Sequence, residues 1–288
     1  MDLSGRPSEG RNDLYQKIKK YAYEIRMMEL DEYLYGMNKK KIDNEKAYNI
    51  IIDAPDSESN PSILFWNAVL ADPREPYYKS PRVEKNESKA NAFYHWAVDL
   101  DIEGMAESGD QYACVCLGEM YYHGRGVDEN DSTAVKWFRY AVEQGYANAQ
   151  FNLGMMYLNG WGVDKNDSTA VEWFRSAAEQ GHARAQFNLG WMYFIGVDEN
   201  VSAAVKCYRE AAEQGHANAQ FHLGRMYKNG WGVDKNDSTA VEWYREAAEQ
   251  GHSDAQFNLG QMYEKGWGVD RNDLTAEEWL LKSLCDLD

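Results

Sequence analysis

The sequence is poor in cysteine and proline, with four and six in 288 residues, and no apolar run approaches the roughly 18 residues that a membrane span requires. Cys114, Cys116, Cys207 and Cys285 form no CxxC pair and no even spacing, which argues against a zinc knuckle or a disulfide ladder and for reduced thiols. Cationic charge is also scarce, 30 Lys and Arg standing against 47 Asp and Glu for a formal net charge of −17. Such a surface repels phosphate backbones and anionic lipid, and no stretch gathers enough Lys and Arg to compensate. Neither nucleic acid nor membrane insertion is expected. The opening MDLSGRPSEGRND carries no apolar segment of the secretory kind, so a soluble, cytoplasmic protein is expected. Aromatic residues, in contrast, are plentiful: 10 Trp, 20 Tyr and 9 Phe are far more than an acidic disordered chain carries.

Length alone would suggest about two domains, but a Leu-Gly step recurs at Gly118, Gly154, Gly190, Gly224 and Gly260, at spacings of 36, 36, 34 and 36. Segments 148–183 and 218–253 differ at only six positions. The chain therefore reads as a repeat array. In the second unit Ala149, Leu153, Met156 and Tyr157 share one face of a helix over about 148–159. A second helix follows, with Asp167 or Ser168 as its cap and Ala170, Trp173, Phe174, Ala177 and Ala178 as its apolar stripe. Gly181, repeated as Gly109, Gly145, Gly215 and Gly251, ends that helix where a left-handed residue is needed. The Leu-Gly glycine instead falls inside the first helix, where it costs about 1 kcal/mol relative to Ala. Its presence in all five units implies a contact between the first helix and its neighbour too close for a side chain. Stacked antiparallel helix pairs follow.

The residues A-x-A-x-x-x-L-G-x-M-Y, then G-x-G-V-x-x-N, then A-x-x-W-x-x-x-A-A-E-Q-G-H resemble the Sel-1-like repeat (SLR) family, relatives of tetratricopeptide repeats. The resemblance covers about 110–288, as five units near 112–147, 148–183, 184–217, 218–253 and 254–288. It implies an all-α fold, a right-handed α-solenoid that holds other proteins together as an adaptor or scaffold, without cofactor. Two departures stand out: the third unit reads YFIGVDEN, two turn residues short, and the fifth lacks the EQG end.

Upstream, Leu14, Ile18, Tyr21, Ala22, Ile25, Met28 and Tyr33 fall on one face of a helix over 12–35, and a second helix is expected over 43–53. Residues 1–60 are expected to cap the stack, with Lys39, Lys40 and Lys41 as a solvated helix end. Ser62–Leu70 reads as a buried helix and 72–86, with Pro73, Pro76 and Pro81, as a loop. Because NESKANAFYHWAV begins like NDSTAVKWFRYAV, 61–109 reads as a degenerate repeat with an enlarged loop.

Asp164, Asn166 and Ser168 imitate the first ligands of a calcium loop, but Thr169 and Arg175 stand where Gly and a bidentate Glu are required. Gly160-Trp161-Gly162 lacks the remaining elements of a phosphate loop. His182, His216 and His252 occur one per repeat, a spacing suited to packing or turns rather than to a metal. Five N-x-S matches, at Asn86, Asn130, Asn166, Asn200 and Asn236, read as helix caps, although in a secretory lumen they would accept glycans. A cysteine-rich bacterial branch of the family is linked with β-lactam binding, so a hydrolase is an alternative, but no Ser has Lys three residues on. A lumenal degradation-complex adaptor is the other alternative.

Aligned with a tetratricopeptide helix, the concave positions are 115, 119, 122 and 123 in the first unit and 151, 155, 158 and 159 in the second. Tyr122, Met155, Leu158, Trp191 and Phe194 would then form an apolar strip, bordered by Arg225 and Lys228. A protein or peptide with apolar anchors and acidic residues near the cationic end is the expected partner. The competing reading packs these side chains inside the superhelix.

Overall fold

A computed structural model describes residues 27, 60–71, 86–196 and 200–285. The expected helices over 12–35 and 43–53, the Lys39–Lys41 run and nearly all of the 72–86 loop lie outside the described residues. Among those described are thirteen helices and no strand: α1 (Pro61–Ala71), α2 (Glu87–Asp99), α3 (Ile102–Glu107), α4 (Gln111–His123), α5 (Asp131–Glu143), α6 (Ala147–Asn159), α7 (Asp167–Glu179), α8 (Ala183–Phe194), α9 (Val201–Glu213), α10 (Ala217–Asn229), α11 (Asp237–Glu249), α12 (Ser253–Lys265) and α13 (Asp273–Cys285). None is long and apolar enough to cross a membrane.

From α4 onward the helices pack as pairs, α4 with α5 through α12 with α13, and the second helix of each pair meets the first of the next. The pairs are antiparallel, and in four of the five the end of the first helix is tied to the start of the second. Asn130 N–H donates to Tyr121 O at 2.8 Å and Asn236 N–H to Tyr227 O at 2.9 Å. The result is an α-solenoid.

The conserved-in-copy glycine explains how close the pair comes. A Cβ at Gly154 would stand 2.6 Å from Cδ1 and Cε1 of Phe174, and one at Gly118 would stand 2.5 Å from Cε1 of Phe138. Tyr208 and Tyr244 play the same part beneath Gly190 and Gly224, and Leu280 beneath Gly260. The close neighbour is therefore a buried ring of the second helix in four pairs, seated against the bare backbone of the first.

Helix starts bear out the reading of the N-x-S asparagines as caps and correct that of Asp167 or Ser168. The cap of α7 is Asn166, whose Oδ1 accepts from Thr169 N–H at 3.0 Å with an extended backbone, φ −151°. Asp167 and Ser168 already lie inside the helix, where the Asp167 carboxylate complements the positive end of the helix dipole. Asn86, Asn130, Asn200 and Asn236 cap α2, α5, α9 and α11 in the same way. His182, His216 and His252 cap the first helices instead: Nδ1 of His182 accepts from Ala185 N–H at 3.1 Å. That leaves Nε2–H to donate to Asn148 Oδ1 at 3.0 Å, while the ring stacks on Phe151 at 4.9 Å. Burial pushes the His182 pKa down to about 3.

Two polar seams join the stack. Arg139, Arg175, Arg209 and Arg245 each donate to the hydroxyl of a tyrosine on the next pair, Tyr157, Tyr193, Tyr227 and Tyr263, at 2.8 to 3.2 Å. Inside, Gln180, Gln214 and Gln250 donate at 2.7 Å to Gln150, Gln186 and Gln220, and Gln186 and Gln220 donate in turn to Ala178 O and Ala212 O on the preceding pair. The third pair departs from the pattern at its turn: α8 ends on Ile195, and Gly196, at φ +100°, follows at once.

Candidate binding face

The face in question is a row of side chains on α4, α6, α8, α10 and α12, one turn apart on each helix. Its outer members meet tryptophans from the next pair's turn. Tyr122 lies 5.2 Å from the ring of Trp161, Phe194 lies 5.7 Å from Trp231, and Lys228 Nζ sits 5.7 Å above Trp267. The third pair has no tryptophan in its shortened turn, so Leu158 lacks the equivalent neighbour. It is half-buried beside Met155 on the core of α7 and α8.

The expected strip is thereby divided. Tyr122 and Met155 line one cleft of about 240 Å³, walled by Phe65 and Trp66 of α1 and by Phe151 and Trp161. Trp191, 38% exposed, touches Phe194 at 6.3 Å and stands edge-on to His222 at 5.7 Å. Arg225 joins that second group, its guanidinium 5.5 Å from the ring of Trp231 and 5.8 Å from Phe221. Lys228 also donates to Asn258 Oδ1 at 3.3 Å.

The first cleft has a polar floor. Asn152 donates to Glu119 Oε1 at 2.7 Å, and His123 Nε2 lies 3.4 Å from the other carboxylate oxygen. Burial raises the Glu119 pKa, but His123, Asn152 and Arg184 outweigh it and hold the carboxyl below its usual range. The Arg184 guanidinium lies 4.9 Å over Phe151. Burial, reinforced by the Glu119, Asp131 and Glu129 charges, pushes the Tyr122 hydroxyl up to about 12. This is a surface of aromatic walls with fixed donors and one paired carboxylate. Its chemistry suits binding a chain segment: apolar side chains against the rings, and backbone or carboxylate oxygens toward Arg184.

The sequence reading placed position 119 on the concave face but missed Trp161, Trp231 and Trp267, His222, and the Asn152 and Arg184 that join Glu119. A signal was available for two of them. The turn tryptophan recurs with the repeat, and His222 replaces Asn152 among the six differences between the second and fourth units. The contribution of Phe65 and Trp66 depends on how α1 folds back onto α4, which no local pattern announces.

Among known proteins, the Sel1 repeat profile matches 111–146, 147–182, 183–216, 217–252 and 253–285. No curated protein is significantly similar to the chain. A Sel1 repeat protein from Oxalobacter formigenes is 35% identical, with 70% of this chain and 83% of that one covered and a TM-score of 0.63. A protective antigen of uropathogenic Escherichia coli with an SLR fold is 28% identical over 96% of this chain and 64% of its own length, with a TM-score of 0.49. An immunity protein from Pseudomonas aeruginosa is 20% identical over 82% of this chain and 86% of that one, with a TM-score of 0.50, a likeness of fold alone.

Proposed function

Because the chain belongs to the Sel1 repeat family, whose members commonly mediate protein–protein interactions, we propose that it is a non-catalytic adaptor holding a protein or peptide along the row of first helices. The observation that carries this reading is the aromatic row itself. Trp191 and Trp231 are each 38% exposed and flank Phe194 at 6.3 and 5.7 Å, a contiguous aromatic surface of the kind that partners cover. Arg225 and Lys228, held against tryptophan faces beyond them, favour acidic residues at that end of the ligand.

Residues 61–109 extend the array in this reading. Asn86 caps α2 as Asn130 caps α5, and Ala90, Tyr94 and Ala97 are buried at the spacing of Ala134, Phe138 and Ala141. The short α3 is inserted between this pair and α4.

The test is affinity purification of the full chain and of Trp191→Ala/Phe194→Ala, after circular dichroism has established that both are folded helical proteins. Partners recovered with wild type should fall at least about tenfold with the double variant, as expected for loss of two aromatic anchors. Full retention by a folded variant would remove this face from the binding site. Nitrocefin turnover abolished by a single substitution would overturn the adaptor reading in favour of a hydrolase.

A further inference from the structure

Arginine side chains mostly serve the stack itself. Arg139, Arg175, Arg209 and Arg245 hold tyrosine hydroxyls between pairs, and Arg271 holds Asp273 at 2.9 Å. Arg184 does neither. It stands where the other units have Tyr112, Asn148, Asn218 and Asp254, and its guanidinium makes no hydrogen bond or ion pair among the described residues. The side chain is half-buried, 4.9 Å over the ring of Phe151, and it forms part of the lining of the cleft beside Tyr122. A planar fork of five N–H donors is thus held in place with no acceptor, and a carboxylate matches that fork in shape and charge.

The rest of the cleft gives the anion an apolar companion. Phe65, Trp66, Tyr122 and Trp161 wall it, and α1 closes it on the side where that helix packs on α4. Its volume of about 240 Å³ lies below the roughly 300–1,000 Å³ of pockets for drug-sized ligands, so it suits one residue rather than a chain passing through. Charge decides the sign of the ligand. The Glu119 carboxylate is already matched by Asn152 at 2.7 Å and His123 at 3.4 Å, while Arg125, 7% exposed, brings a second guanidinium to the lining. An ammonium group would meet two fixed cations and a carboxylate that is already satisfied.

We infer that this cleft takes the C-terminal residue of a partner chain, its apolar side chain among the rings of Trp66, Tyr122 and Trp161 and its terminal carboxylate on the Arg184 guanidinium. A single terminal residue supplies both groups at once. An internal Asp or Glu brings the carboxylate without an apolar side chain of its own. The inference rests on the adaptor reading and adds to it which end of the partner is held.

The full chain is titrated with N-acetyl-phenylalanine, which carries the carboxylate of a chain end, and with N-acetyl-phenylalaninamide, which lacks it, followed by the Trp161 indole N–H signal in ¹H–¹⁵N spectra. Wild type should bind the acid at least about tenfold more tightly than the amide, the difference expected for hydrogen bonds to a charged group. Arg184→Gln, shown by circular dichroism to be folded, should bind both alike. Arg184→Lys keeps the charge without the fork and should retain part of the preference. No saturable shift with the acid at millimolar concentration, equal binding of acid and amide by wild type, or an unchanged preference in folded Arg184→Gln overturns the inference. Tighter binding of free phenylalanine than of its N-acetyl form also overturns it, because the site would then belong to a small molecule. Trp191 and Phe194 lie outside the lining of this cleft, so partners lost with Trp191→Ala/Phe194→Ala uphold the adaptor even where these probes fail.

Discussion

Gly154→Ala should destabilise the protein by about 2 kcal/mol and lower its melting midpoint by about 4–8 °C, although alanine is the better helix former by about 1 kcal/mol. The new Cβ would arrive 2.6 Å from two ring carbons of Phe174. That ring is fully buried and also packs against Phe151 at 6.0 Å, so it has no free space to enter. Relief requires the two helices to separate, which loosens the pair along its length. Gly190→Ala is the internal control: its nearest neighbours are Tyr208 at 3.0 Å and the Ala204 carbonyl at 3.2 Å, so the loss should be smaller. Combining Gly154→Ala with Phe174→Ala should cost less than the sum of the single losses, because the second change removes the atoms with which the first collides. Chemical denaturation of wild type, the three single variants and the double variant gives these values directly. A Gly154→Ala protein as stable as wild type would mean that the glycine is not required by the ring.

Acid should weaken the fold well before its carboxylates are protonated. His182 is completely buried, and its pKa is about 3 in the folded chain against about 6.5 when unfolded. Above pH 6.5 both states carry it neutral and its contribution to stability is intact. As pH falls from 6.5 toward 3 only the unfolded chain gains the proton, so stability is lost throughout that interval, by about 3 kcal/mol at pH 4.5 from this residue alone. Burial likewise lowers the pKa of His216 and of His252, and the slope is steeper for it. His182→Asn retains a capping acceptor but cannot titrate. It should be less stable than wild type at pH 8, since it loses the stack on Phe151, and should show a clearly shallower fall in midpoint between pH 6.5 and 4.5. Parallel pH profiles for the two proteins would show that His182 is not the group responsible.

The helix pairs were legible in the sequence because several signals recur in phase: an apolar stripe, an amide three residues before a helix's first turn closes, and a glycine with positive φ beyond its end. The sequence offered two readings of the cap, Asn166 from the N-x-S pattern and Asp167 or Ser168 from the stripe, for a simple reason. Asn166, Asp167 and Ser168 are all good capping residues in a row, and only the extended backbone at Asn166 decides among them. The mid-helix glycine announced a close approach but could not say that a phenyl ring, rather than a helix backbone, made it. The row of first-helix positions was legible, since Tyr122, Leu158 and Phe194 recur at the repeat spacing of 36. Its division into two groups was not, because it depends on turn tryptophans of the next pair reaching back over Tyr122 and Phe194.

Stacking limited to adjacent pairs has a consequence for how such a chain can change over generations. Residues 148–183 and 218–253 are so alike that excising 148–217 would set α5 beside α10 with familiar contacts. Arg139 would find the hydroxyl of Tyr227 in place of that of Tyr157, and Tyr122 would find Trp231 in place of Trp161. The length of the array is thus an inherited variable that unequal exchange between its own copies can adjust in whole units. The third unit, which alone carries Trp191 and Cys207, would be gained or lost in one step.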